Sequence, residues 1–415
     1  MQEMPKPGAG QLLAALVAPR MLVALCMGFS SGLPLLLTST LLQAWMTQSG
    51  LSLALVGLSA LLGLPYTIEF LWAPVFDRYL PPFMGRRRGW LLITQSLLVL
   101  TIMLLGMTNP VAHDGWLVLA AVSVAFFSAS QDMVINAYRR ESLSDPEQAY
   151  GAGLYFVGYR AAMLVAAGGG LILVSFLSYR EVYAVMAAVM GVGVITTLLA
   201  REPELDAHHP HTLTQAVIRP FLAFFSRRHA LLILIFVLIY KIGDVTAQNM
   251  LIPFYLKLGY TTLQIGAVVK LFGFVALMVG GILGGMLTRL IGTFRALFWF
   301  GLLQALATAG YAWLAHTGPS LAWLAVVVSG ENLALAMSTA TLLGFLAQLT
   351  DKRFTATQFA LLTSLVGVSR VLLAAPAGYL ANFLGWPWFF LACGLMAVPG
   401  LAVLTRFRVW IDADQ

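Results

Sequence analysis

Glu69, Asp132, Asp244 and Glu331, together with Arg160, Lys241, Lys270 and Arg370, fall inside stretches apolar enough to lie in a membrane. A charged side chain at that depth costs roughly 3 kcal/mol or more unless it is paired or hydrated. Four acids against four bases point to pairing, and each charge taken singly fits a structural ion pair. Eight of them in one bundle favour a hydrated cavity that handles a polar solute. At about 1.5 Å of helical rise per residue, Asp132, seven residues before Arg139, lies ~10 Å inside the membrane boundary. Arg160 lies ~15 Å along the next span, so the two are expected to meet. Lys241 and Asp244 are three apart and share a helix face, and Glu331 falls near mid-bilayer. A carboxylate shielded from water can exchange a proton. Asp132, Asp244, Glu331 and Glu69 are therefore the candidate proton sites.

The cations Arg160, Lys241, Lys270 and Arg370 are candidates for binding an anionic substrate group. Amides and phenols near the charges add a sugar-like binding chemistry: Gln131, Asn136, Tyr138, Tyr159, Asn249, Asn332 and Gln358. Most membrane tyrosines anchor at the interface or pack, so only their grouping gives these weight. In "FDRYLPPFMGRRRG" (76–89), Asp77, Arg78, Arg86 and Arg87 are placed to latch neighbouring helices at one membrane face. The same arginines also serve topology.

These residues need helices to hold them. The chain is 60% hydrophobic and 10% charged, against about 25% charged for a soluble domain. It is read as a polytopic membrane protein. Continuous apolar runs of about 20 residues match helices crossing a ~30 Å core and exclude an alternating barrel pattern. Twelve spans are expected: 21–46, 52–76, 88–108, 115–138, 150–177, 181–200, 229–256, 261–288, 293–315, 320–348, 355–383 and 387–407. Of the 24 Lys and Arg, 18 fall in the N-terminus, the even-to-odd connections or the C-terminus. The positive-inside rule then puts both ends in the cytoplasm. The net charge of +7 is thus a matter of topology and does not imply nucleic acid. The N-terminus lacks a compact cleavable signal, so the first apolar stretch reads as a retained helix.

The polar stretch 201–228 divides the chain into a six-span half over 1–200 and another over 229–415. His208, His209 and His211 within it read as a solvated linker, because no carboxylate or thiolate set accompanies them. Cys26 and Cys393 lie in separate spans and read as free thiols. No metal and no cofactor other than a coupling proton is expected. "GGILGG" (280–285) reads as helix packing, since no strand precedes it and no Lys-Ser/Thr follows. A weak repeat crosses the linker: "VGYRAAMLVAAGGG" (157–170) resembles "GVSRVLLAAPAGYL" (367–380), with Arg160 over Arg370. Two such halves around a midplane site are the plan of major facilitator transporters. The fold class expected is thus an all-α membrane protein of major facilitator type.

The chain further resembles the AmpG muropeptide permeases. The similarity runs in order through "GFSSGLPLLLTSTLLQAWMT" (28–47), "GLPYTIEFLWAPVFDRYLPPFMGRRRGWLL" (63–92), "SASQDMVINAY" (128–138), "VGYRAAML" (157–164), "YKIGD" (240–244), "ENLALAMSTA" (331–340) and "RFTATQFALLTSL" (353–365). The resemblance implies a proton symporter of the bacterial inner membrane. Its substrates would be N-acetylglucosaminyl-1,6-anhydro-N-acetylmuramic acid and its peptides, imported for cell-wall recycling, with an indirect part in β-lactamase induction. It also implies roles for Asp132, Arg160, Lys241, Asp244, Lys270, Glu331, Asn332, Gln358 and Arg370. Carboxylates on the stem peptide suit cations in a cavity.

There are departures from the family pattern. Glu69 stands where relatives commonly carry lysine, Asn136 replaces an acidic residue, and the chain stops soon after span 12 where some relatives continue. A siderophore or peptide importer is the nearest alternative. A membrane-embedded transferase or hydrolase would want a nucleophile–base or acidic metal motif on an outer loop, and the outer loops are short. The expected partners are a small-molecule substrate and membrane lipid, with the chain acting as a monomer.

Overall fold

The computed structural model describes residues 18–111, 114–143, 145–203, 230–348 and 367–411, and all regular structure among them is helical. Among the described residues ten helices are long and apolar enough to cross a membrane. They are α1 (Pro19–Gln48), α3 (Arg86–Met107), α4 (Gly115–Ser142), α5 (Gly153–Leu173), α6 (Tyr179–Leu199), α7 (Leu231–Leu258), α8 (Thr262–Ile291), α9 (Thr293–Thr317), α10 (Leu321–Leu346) and α12 (Trp386–Thr405). The shorter apolar helices α2 (Leu53–Ile68) and α11 (Arg370–Leu384) complete the series. Each expected span overlaps one of these helices. The largest difference is span 2, where α2 gives way to a 3₁₀ turn at Glu69–Leu71 and a separate helix, Ala73–Arg78. Pro74 in its first turn suits a helix start, because the missing N–H is an orphan there anyway.

Local chemistry sets the ends. α6 opens on a capping box between Ser178 and Glu181, and α8 on one between Thr261 and Gln264. Gly259 at φ 102° terminates α7 in the left-handed region that glycine adopts without penalty. Several helices are irregular inside. π-turns occupy Leu37–Leu41 in α1, Val165–Gly169 in α5, Ile265–Val269 in α8 and Ser369–Leu373 at the start of α11. α7 is interrupted at Lys241, between Ala230–Tyr240 and Ile242–Leu258. Such breaks mark functional stretches in membrane helices.

The chain divides into two compact units. The first comprises Met1–Leu42 with Ile68–Ala207, the second Gln43–Thr67 with His208–Gln415. Residues 43–67, expected in the first half, thus group with the second. The expected linker's residues 204–228 lie outside the described residues, as do His208, His209 and His211.

Within the first unit α1 and α5 meet backbone to backbone. A Cβ on Gly28 or Gly32 would fall on the carbonyls of Tyr155 or Tyr159, and one on Gly158 on the carbonyl of Leu25. Small residues let helices approach this closely where lipid offers no hydrophobic drive for association. The second unit repeats the device between α8 and α10, where Gly280 and Gly284 lie against Leu333 and Met337. Its interior holds an apolar cluster around Phe236, Val237, Leu297, Phe345 and Leu346. An aromatic cluster of Phe254, Tyr255, Tyr311, Trp386 and Phe390 lies elsewhere in the same unit.

Candidate functional site

Each unit carries a polar cluster of its own. In the first, Pro34 inside α1 has no N–H, so the Ser30 carbonyl loses its intrahelical partner. Gln131 of α4 supplies one: its Nε2 donates to Ser30 O at 3.1 Å, and its Oε1 accepts from Ser30 Oγ at 2.9 Å. Gln131 is fully buried by this exchange. The next residue, Asp132, accepts a hydrogen bond from Ser31 Oγ at 2.6 Å. Ser31 Oγ also lies 2.7 Å from the Tyr155 hydroxyl of α5. Carboxylate, serine and phenol therefore form one chain across α4, α1 and α5. Arg139 lies over the Tyr155 ring at 4.9 Å, and Glu69 is near enough for its charge to act on Asp132.

The expected Asp132–Arg160 pair does not form. Arg160 instead lies over the Phe156 ring at 4.9 Å, with its Nη1 3.9 Å from the Met163 sulfur. Its Nε has no hydrogen-bond partner. The reason is helical phase. Tyr155 and Arg160 are five residues apart, which turns them about 140° from each other around α5. The glycine contacts of α1 with α5 fix Tyr155 toward Ser31, so Arg160 points elsewhere.

The second cluster is more deeply buried. Lys241, at the break in α7, is 4% exposed, Asp244 8% and Glu331 2%. Lys241 Nζ lies 3.5 Å from Asp244 Oδ2, realising the expected shared face, and donates to Ser338 Oγ at 2.6 Å. Two amides bridge the acids. Gln304 Nε2 of α9 lies 3.2 Å from both Asp244 Oδ1 and Glu331 Oε1. Gln248 Nε2 lies 3.2 Å from Asp244 Oδ1 and 3.4 Å from Glu331 Oε1. Asp244 stands in the first turn of Ile242–Leu258, where the helix dipole favours an anion.

The remaining sequence candidates scatter. Asn249 is spent on packing: it accepts from Gln43 Nε2 at 2.9 Å and donates to Gly57 O at 3.0 Å and Ala374 O at 2.9 Å. Tyr138 donates to Arg201 O at 2.8 Å. Asn136 is exposed and accepts from Arg139 at 3.4 Å, and Tyr159 neighbours Tyr155 with ring centroids 6.2 Å apart. Asn332 bonds Val328 O within its own helix at 2.9 Å. Arg370 is exposed in the π-turn of α11. The side chain of Lys270 and all of Gln358 lie outside the described residues, as do the side chains of Asp77 and Arg78. Arg86 and Arg87, expected in a latch, meet partners the sequence did not single out. Arg87 grips Glu141 through Nε (2.9 Å) and Nη2 (2.6 Å), Arg86 reaches the same carboxylate at 3.7 Å, and Glu202 accepts from the backbone N–H groups of Arg87 and Arg88 at 2.8 and 2.9 Å.

Ser31, Gln304 and Ser338 were missed. Only a lone amide in the apolar run 293–315 and the serine pair beside Gly28 and Gly32 hinted at them. Both cysteines are free, and no group of three metal-ligating side chains occurs among the described residues.

Comparison with known proteins agrees with this architecture. The family model described as Major Facilitator Superfamily matches residues 20–374. The anhydromuropeptide permease of Escherichia coli (strain K12) is 42% identical over 406 residues, covering 97% of this chain and 83% of that protein. Two solved structures share the fold at low identity. One is the nucleoside transporter NupG (TM-score 0.72, 13% identical, 94% of this chain and 98% of that one). The other is a D-xylose-proton symporter (TM-score 0.70, 12% identical, 94% and 97%). With a family model spanning most of its length and a permease relative at 42% identity, the chain belongs to the major facilitator superfamily, in the anhydromuropeptide permease family.

Proposed function

We propose that the chain imports anhydromuropeptides, N-acetylglucosaminyl-1,6-anhydro-N-acetylmuramic acid and its peptides, across the bacterial inner membrane by proton symport. The observation that carries the substrate reading is the 42% identity to the permease over 97% of the chain. Proton coupling draws its support from the carboxylates held away from water: Asp132 on its Ser31–Tyr155 chain, Asp244 and Glu331 between two amides, and Glu69 nearby. Arg160 is the substrate-binding cation we favour. It is partly buried, is engaged by no carboxylate among the described residues, and has an Nε still able to donate. A stem-peptide carboxylate is the matching acceptor. The Lys and Arg distribution supports cytoplasmic termini. Through the muropeptides it delivers, the carrier would act indirectly on β-lactamase induction.

The test is uptake of labelled anhydromuropeptide by proteoliposomes with and without an inwardly directed proton gradient. Accumulation that follows the gradient is the expected result. Equal uptake without it removes the coupling, and no uptake at all removes the substrate.

A further inference from the structure

The Asp244–Glu331 arrangement is unusual in its donors. The same two amide nitrogens, Gln248 Nε2 and Gln304 Nε2, each touch Asp244 Oδ1 and Glu331 Oε1 at 3.2–3.4 Å. The two carboxyl oxygens therefore face one another across a pair of shared donors. Among the described residues Lys241 is the cation beside them, against two acids, so the fully ionised cluster of described side chains holds one negative charge more than it pairs. Burying an unpaired charge is far costlier than burying a neutral hydrogen-bonded acid. Aspartic-protease-like reasoning for two acids on one site leads to a single shared proton.

We propose that Asp244 and Glu331 work as one two-carboxylate site that takes up and releases the coupling proton, with Lys241 as fixed countercharge and Gln248 and Gln304 as positioning residues. The proposal rests on the transporter reading above and names where in the molecule its proton resides. Glu331 is the acid that carries it. Asp244 has the Lys241 ammonium on Oδ2 and stands in the first turn of its helix, whereas among the described residues the hydrogen-bond partners of Glu331 are the two amides. The other titratable groups that sense these two charges are Tyr240 and Tyr255 on α7, Tyr311 on α9 and Cys393 on α12. None of them is a cation that competes with Lys241 for Glu331.

Gln304 supplies a second sign. It is 5% exposed, and its Oε1 has no hydrogen-bond partner among the described residues. In the ionised pair the amide must turn its NH₂ to both acids, which strands the oxygen. Once Glu331 is protonated, its O–H becomes a donor. Rotation of the amide by half a turn then offers Oε1 to that proton and to the Thr308 hydroxyl, which now lies 3.5 Å from Nε2. The proton arrives on a Glu331 oxygen as H⁺ and departs as H⁺, and no bond other than O–H forms or breaks.

Two measurements test this. In proteoliposomes Glu331→Gln should lose gradient-driven accumulation of labelled anhydromuropeptide, down to the level seen with a protonophore. Infrared difference spectra of the purified carrier between acid and alkaline pH should contain a protonated-carboxyl C=O band. The component of it due to Glu331 should be lost in Glu331→Gln and shift in frequency in Gln304→Leu, a change that a purely structural amide would not produce. Gradient-driven accumulation by Glu331→Gln, or survival of the whole band in that variant, overturns the proposal. Absence of muropeptide transport in wild type with the Glu331-dependent band intact refutes the substrate and upholds the proton site.

Discussion

Removing Glu141 tests whether the arginine grip at the start of α3 holds the first unit together. The Arg87 side chain is 6% exposed and the Glu141 side chain 28%, with Nη2–Oε1 at 2.6 Å and Nε–Oε2 at 2.9 Å. Breaking a wholly buried pair costs about 3–5 kcal/mol, because the surviving charge stays desolvated. Water reaches the carboxylate side here, so the figure is discounted to about 2 kcal/mol for Glu141→Ala. That is roughly a thirtyfold shift in the folded ratio. Arg87→Ala should lose about the same, and the double variant little more than either, giving a coupling of about 1–2 kcal/mol. The assay is unfolding of the detergent-purified protein by denaturant, with the four members of the cycle compared at low and high salt. The shielded guanidinium keeps most of the coupling at high salt. Single losses that add within about 0.5 kcal/mol refute the reasoning, and the pair is then an ornament of topology.

Gly158→Val should abolish recovery of folded carrier, because its Cβ meets the Leu25 carbonyl, while Gly153→Ala on the same helix, with nothing near it, should be neutral; size-exclusion profiles decide. Arg160→Ala should weaken uptake of peptide-bearing muropeptide by about 10–100-fold, the worth of one charge-assisted hydrogen bond of about 1.5–3 kcal/mol. Uptake of the peptide-free disaccharide, whose carboxylate sits on the lactyl group and not on a stem peptide, should change less, and equal losses for both substrates count against a contact with the stem-peptide carboxylate. Lys241→Met should destabilise strongly by stranding Asp244, and Lys241→Met with Asp244→Asn should recover much of the loss. Thermal melts of both variants give the answer, and a double variant worse than the single one contradicts it.

The helices were legible because an apolar run of membrane length has few other solutions. The irregularities inside them were not. Nothing in the sequence announces the π-turn at Val165–Gly169 or the break at Lys241, which depend on packing rather than propensity. Charges were legible by type and by spacing within one helix, as with Lys241 and Asp244. Pairing between helices was not, since rotational phase comes from contacts such as Gly28 and Gly32 against α5. Asp132 therefore found Ser31, a residue of no distinction in a run of small ones, instead of Arg160. Asn249 was singled out as an amide beside charges, and nothing in the sequence pointed to the three hydrogen bonds that engage it here.

The two clusters answer a change of protonation differently, and the difference lies in their donors. A hydroxyl gives or accepts as its hydrogen rotates. Ser31 and Tyr155 can therefore reverse their hydrogen bonds when Asp132 gains or loses a proton, with no heavy atom displaced. An ammonium only donates, and a carboxamide has a donor at one end and an acceptor at the other. Around Asp244 and Glu331 the donors are Lys241, Gln248 and Gln304, so a new proton on Glu331 meets an acceptor in the Asp244 carboxylate and a donor in each of the two amides. The mismatch with the amides is relieved by turning one of them or by moving a helix that carries one of the partners. Ligands shift a conformational equilibrium only by differential interaction with its states. On the proposed reading, protonating the amide-bridged pair on α7 and α10 therefore calls for a rearrangement of its donors, whereas protonating the hydroxyl chain on α1, α4 and α5 calls only for rotation of hydroxyl hydrogens.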